Sequence, residues 1–157
     1  MLDISKDKSK TSTILQKLPI FVGLSPDEVE EVHKICVPQT VIENDTIFAE
    51  GDDSTCMYIL MIGEIQLRTR KKGIIHTVRS GEVFGEIGFI NQQKRTATAI
   101  ANGTSVLLQL DTAAFNQLLE KYPRISFTIM RNITLSLADH INRMNKTGTL
   151  DYLPVGR

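Results

Sequence analysis

Apolar residues recur at helical spacing towards the two ends of this chain and at strand-like spacing between them. From Ile14 to Phe21 they fall at irregular helical intervals. Ser25-Pro26-Asp27-Glu28 then offers an N-cap, a proline at the first helical position and early acids, and predicts a helix from about Pro26 to Lys34. Past that point the pattern changes. Val41, Thr46-Ile47-Phe48, Tyr58 to Ile62 and Ile65-Gln66-Leu67-Arg68 are β-rich runs divided by Asn44-Asp45, Gly51-Asp52-Asp53 and Gly63. The rhythm continues through Ile74 to Val78 and resumes at Thr96 to Ala101 and Val106 to Leu110, after an interruption at 84–95. Turn signals at intervals of about ten residues predict a compact barrel or jelly roll.

Helical spacing returns after Asp111, a candidate N-cap. TAAFNQLLEKYP reads as a short helix ended by Pro123, and Arg124 to Asn145 as a longer one. In the longer helix Met130, Ile133, Leu137, Ile141 and Met144 form one apolar stripe. The stripe suits packing on the β-roll and also pairing with a second copy of the chain. Residues 1–13 are polar and rich in Lys, Ser and Thr, and predict a loose or weakly helical leader, not a packed element. The fold class expected is mainly β with flanking helices: a double-stranded jelly-roll β-roll, N-terminal helices before it and two C-terminal helices after it. The expected organisation is a leader over 1–13, a domain over 14–145 and a tail over 146–157.

Composition narrows the possibilities. A chain of 157 residues, 41% hydrophobic, fits one domain. Its 18 basic and 18 acidic residues cancel, so no broad positive field draws nucleic acid and no polybasic block holds a membrane. Apolar stretches such as 57–63 fall well short of the roughly 18 residues that span a bilayer. MLDISKDKSK has no hydrophobic signal core. The expectation is a cytoplasmic chain with a small-molecule or protein partner. Cys36 and Cys56 form no CxxC pair and read as packing residues. His33, His76 and His140 are scattered over three elements, with no HxH pair, no Gly-x-Ser-x-Gly elbow and no Cys/His dyad. Neither an enzyme nor a metal site is expected.

The interruption, GEVFGEIGFINQQKRTATAIA, is the unusual part. Glycines at 81, 85 and 88 surround an apolar turn too brief for a core helix, and such glycines let backbone approach a ligand closely. A single helical turn over Glu86 to Ile90 would direct free N–H groups at an anion. Arg95 follows a polar loop and opens an apolar strand, a costly place for a guanidinium unless an anion meets its donors. A ligand would serve, and so would Glu86 or Glu82 at the barrel rim.

Phe84-Gly85-Glu86-Ile87-Gly88-Phe89 followed by Arg95-Thr96-Ala97-Thr98 resembles the phosphate-binding cassette of cyclic nucleotide-binding domains. The likeness extends to LQKLPIFVGLSPDEVEEV, to the Gly-Asp turn in IFAEGDDSTCMYILMIGEIQL and to LLQLDTAAFNQLLEKYP, covering roughly residues 14–145. The resemblance implies a ligand, cyclic AMP (cAMP) or cyclic GMP (cGMP), and no cofactor. It implies that Arg95 pairs with the exocyclic phosphate oxygens and that Glu86 accepts a hydrogen bond from the ribose 2′-hydroxyl. Backbone N–H groups at Gly85, Ile87 or Gly88 and Ala97 would complete the cradle beside Phe84. Thr96 resembles family members that reach a guanine amino group, and others with threonine there prefer adenine, so both nucleotides stay open.

Three positions depart from the family pattern: Lys94 for proline, Gly88 for alanine and Phe89 for leucine. None removes a phosphate contact, and Gly88 is expected to loosen the turn. The family draws its lid over the base from the last helix, where Asp139, His140 and Ile141 fall at the right level and Arg143 is a further candidate. Phosphate capture would then pull the lid helix down and signal to a downstream protein. Only GTLDYLPVGR follows that helix, so no DNA-reading element is expected, and the chain is either a free-standing receptor or the sensory piece of something longer. The rival expectation is a domain that keeps the fold for protein docking without a nucleotide.

Overall fold

The computed structural model describes residues 8–147. Most of the expected tail and the first residues of the expected leader lie outside that range. The rest of the leader is helical, and it packs where no packed element was expected: α1 (Lys8–Leu15) begins ahead of the expected start at Ile14. Thr11 and Leu15, one helical turn apart, are buried, and Ser12 Oγ donates to the Pro26 carbonyl at 3.4 Å. Tertiary packing, which composition does not report, makes this helix where its weak intrinsic propensity would not.

A 3₁₀ turn (Pro19–Phe21) leads to α2 (Pro26–Ile35). Ser25 and Glu28 close a capping box: the Glu28 N–H donates to Ser25 Oγ at 3.3 Å and the Ser25 N–H to Glu28 Oε2 at 2.9 Å. Such a cap contributes about 1 kcal/mol. Arg124 also reaches Glu28, at 2.7 Å, and ties the start of α2 to the last helix.

Eight strands follow: β1 (Cys36–Val41), β2 (Thr46–Phe48), β3 (Cys56–Ile62), β4 (Glu64–Thr69), β5 (Gly73–Arg79), β6 (Val83–Phe84), β7 (Thr98–Ala101) and β8 (Ser105–Asp111). They pair antiparallel in two four-stranded sheets, ordered β1-β8-β3-β6 and β2-β7-β4-β5. The architecture is therefore a jelly roll of two facing sheets, not a closed barrel. Strand β3 is buried on both faces. Met57 and Ile59 point into a core shared with the helices, and Tyr58 and Leu60 into the core between the sheets. This is why its sequence is continuously apolar, where a half-buried strand alternates.

Helix α3 (Glu86–Asn91) interrupts the β-roll between β6 and β7. Helices α4 (Thr112–Lys121) and α5 (Pro123–Thr147) close the chain against the first sheet. On α5, Ile125, Ile129 and Ile133 are buried at four-residue spacing, and Met130 and Leu137 pack beside them. The predicted stripe thus covers the chain's own core in its N-terminal half, while Phe127 and Leu135 face outward. Asn132 anchors the helix, donating through Nδ2 to the carbonyls of Ile20 and Val22 at 2.8 Å each. Among the described residues, no helix is long and apolar enough to cross a membrane.

Candidate functional site

The site is built where β6, α3 and the entry to β7 meet the loop between β2 and β3. Gly85 precedes α3 in a left-handed conformation, φ 73°. A Cβ there would stand 2.6 Å from Arg95 Nη1, so glycine meets both the backbone and the space requirement. Gly88 does not loosen the turn. It is buried, and a Cβ on it would lie 2.2 Å from Ser54 Oγ, so its lack of a side chain lets α3 rest on the β2–β3 loop.

That loop also grips Arg95 through its backbone. The Arg95 N–H donates to the Asp52 carbonyl at 2.8 Å, and the Gly51 N–H donates to the Arg95 carbonyl at 2.8 Å. Asp52 folds its own turn by accepting the Ala49 N–H at 2.9 Å. The Gly-Asp turn thereby fixes where the arginine leaves the chain.

The Arg95 side chain is 6% exposed. Nη1 donates to the Gly85 carbonyl at 3.0 Å and Nη2 to the Cys56 carbonyl at 2.7 Å. The guanidinium carbon lies 4.1 Å from the centre of the Phe48 ring, a cation–π placement. Neither Glu82 nor Glu86 forms an ion pair with Arg95, and Arg95 Nε is buried without a hydrogen-bond partner. The rim carboxylates therefore make no direct pair with this buried charge, a costly arrangement for structure alone.

Glu86 opens α3. Burial pushes its carboxyl up to about 7, opposed by its own backbone N–H and by Arg95 and reinforced by Glu82. Phe84 is buried in the inter-sheet core, its ring 5.2 Å from Tyr58 and 6.1 Å from Phe48. Ile87 is exposed, Thr96 is exposed and Ala97 is buried. Lys94 pairs with Asp53 on the surface, an interaction worth little. Gly85, Glu86 and Arg95 thus come together, with Gly88 seating α3 on the β2–β3 loop beside them and Phe84 in the core next to Gly85.

The lid candidates divide. His140 lies against His76 of β5, with ring centroids 4.3 Å apart. Arg143 donates to Asp139 one turn away, its Nε at 3.0 Å. Residue-by-residue reading missed Phe48, Cys56 and His76. The first two sit on strands next to the legible Gly-Asp turn, at positions whose inward direction the strand period could have given.

The profile of the cyclic nucleotide-binding domain matches residues 38–122, more than half the chain. The chain belongs to the cyclic nucleotide-binding domain family. The match runs from β1 to the end of α4, and this is a regulatory nucleotide-binding domain family, not a catalytic one. Glutaminase 1 of Bradyrhizobium diazoefficiens is 29% identical over 130 residues, which is 83% of this chain and 21% of that protein. The chain thus spans about a fifth of that curated relative's length. The catabolite activator protein of Thermus thermophilus superposes with a TM-score of 0.71 at 25% identity, over 84% of this chain and 62% of that one. PfPKA-R with cAMP bound gives a TM-score of 0.74 at 23% identity, over 95% of this chain and 50% of that one. The latter likeness shows that the cyclic nucleotide-binding fold extends to the flanking helices.

Proposed function

We propose that the domain is a receptor for a cyclic nucleotide, cAMP or cGMP, which relays occupancy of its cassette to a partner protein through α5. The observation that carries this reading is Arg95: a buried guanidinium with no carboxylate partner among the described residues and one unsatisfied N–H. A cyclic phosphate supplies the missing anion, and the backbone N–H groups of Gly85, Ile87 or Gly88 and Ala97 offer further donors. Glu86 supplies an acceptor for the ribose 2′-hydroxyl and so separates ribonucleotides from their deoxy counterparts. The packing of α5 onto the helical core, next to the strand bearing Tyr58, supports a route from cassette to helix.

Calorimetric titration with cAMP and with cGMP, using 5′-AMP as a control, tests the reading. Saturable one-to-one binding of a cyclic form, with no heat from 5′-AMP, is the expected outcome. Absence of heat and of any melting shift with all three nucleotides would overturn it in favour of a docking domain.

A further inference from the structure

Beside the cassette, two imidazoles from distant parts of the chain meet. His76 projects from β5 and His140 from α5, their rings tilted at 57° with centroids 4.3 Å apart. Both side chains are half-buried. Glu82, on the turn before β6, approaches His76 Nε2 to 4.0 Å. Arg79 on β5 and Arg143 on α5 act on His76 electrostatically, and Asp139 holds Arg143. Glu82 also acts on Glu86 and on Arg143, so the pair borders the cassette and shares its field.

We propose that His76 is the positioning residue on which the lid helix docks, and that its contact with His140 is a latch fastened while the His76 imidazole is neutral and released when His76 takes a proton. Rings this close pack well when uncharged, but two imidazolium charges would face each other with little water between them. Three cations or potential cations face His76, from β5 and from α5, against one carboxylate, Glu82. Burial, then His140, holds His76 below its ordinary value of 6.5, in keeping with a docked state that rejects a proton. The sign follows from that direction. Docking is at full strength above the ordinary histidine range and is lost as the pH falls from about 6.5 through the depressed value. Relayed to the cassette, acid weakens nucleotide binding; this consequence rests on the receptor reading, whereas the latch itself does not.

Histidine ring protons followed by NMR against pH, without ligand, test the latch. His76 should titrate below a free imidazole and move up in His140→Asn, and α5 amide shifts should follow the same curve in the wild type. His140→Phe keeps a ring on His76 but carries no charge, and should leave α5 docked in acid. Equal His76 titration in wild type and His140→Asn, or α5 shifts blind to pH, would overturn the latch.

The ligand arm measures the Kd for cAMP and cGMP between about pH 7.5 and about pH 5.5. The wild type should lose at least about fivefold more affinity than His140→Phe, since titration of Glu86 affects both alike. Identical pH slopes would overturn the relay. Failure of both nucleotides to bind at any pH would sink the receptor reading and the relay, and the ligand-free titration alone would still decide the latch.

Discussion

At the residue scale, Arg95 and Glu86 carry opposite costs. Arg95 is satisfied in part by Gly85 and Cys56 carbonyls and by the Phe48 face, so removing it takes a donor from the buried Cys56 carbonyl as well as the charge proposed to meet the phosphate. Arg95→Ala should weaken nucleotide binding by about 2 to 5 kcal/mol, roughly thirtyfold to a few thousandfold in Kd, and should also lower the melting temperature. Calorimetry on the variant, at a temperature where circular dichroism shows it folded, separates the two effects. Glu86 is raised from 4.5 to about 7 in the fold, so the folded chain holds a proton that the unfolded chain has released. Stability then falls as pH rises through that interval, and the full penalty is present above it. Glu86→Gln should melt higher than the wild type at about pH 8, show no such gain near pH 4, and bind cyclic nucleotide more weakly. A melting curve at each pH checks the first half, and a titration the second.

At the element scale, what was legible in the sequence is what is encoded locally. Ser25 and Glu28 sit three residues apart, and that spacing alone marks the start of α2. The cassette is legible for the same reason, because Gly85, Glu86 and Arg95 lie within one contiguous segment. Helix α1 was not, since it depends on Thr11 and Leu15 finding α2 and the core. The capping role expected of Asp111 also fails in detail. It stands at the N-cap of α4 without a side-chain bond to the helix and instead accepts from Gln109 Nε2 at 2.8 Å. The His76–His140 contact joins β5 to α5, and no local pattern reports such a meeting. Asn132 is a similar case: a polar residue within an apolar helix face, whose purpose shows only when the Ile20 and Val22 carbonyls are found beside it. Asn132→Leu leaves the buried Ile20 carbonyl without this donor and removes the bond to Val22, at about 1 to 3 kcal/mol. A fall of roughly 3 to 10 °C in melting temperature, read by calorimetry, is the expected outcome.

At the scale of the whole molecule, two hydrophobic cores share one wall. Met57 and Ile59 belong to the core that holds Ile129 and Ile133 of α5, and Tyr58 and Leu60 to the core that holds Phe84 and is flanked by Phe48. Cys56, at the start of the same strand, accepts from Arg95. In the receptor reading proposed above, a signal from the cassette to the last helix has no need to travel around the rim of the β-roll. It has only the thickness of a single strand to cross, like pressure on one side of a partition felt on the other. A close-packed strand of this kind transmits small displacements instead of absorbing them. The consequence is practical. If the receptor reading holds, core substitutions on the helix side of β3, chosen with no thought for a ligand, should act as mutations of the proposed site one residue away.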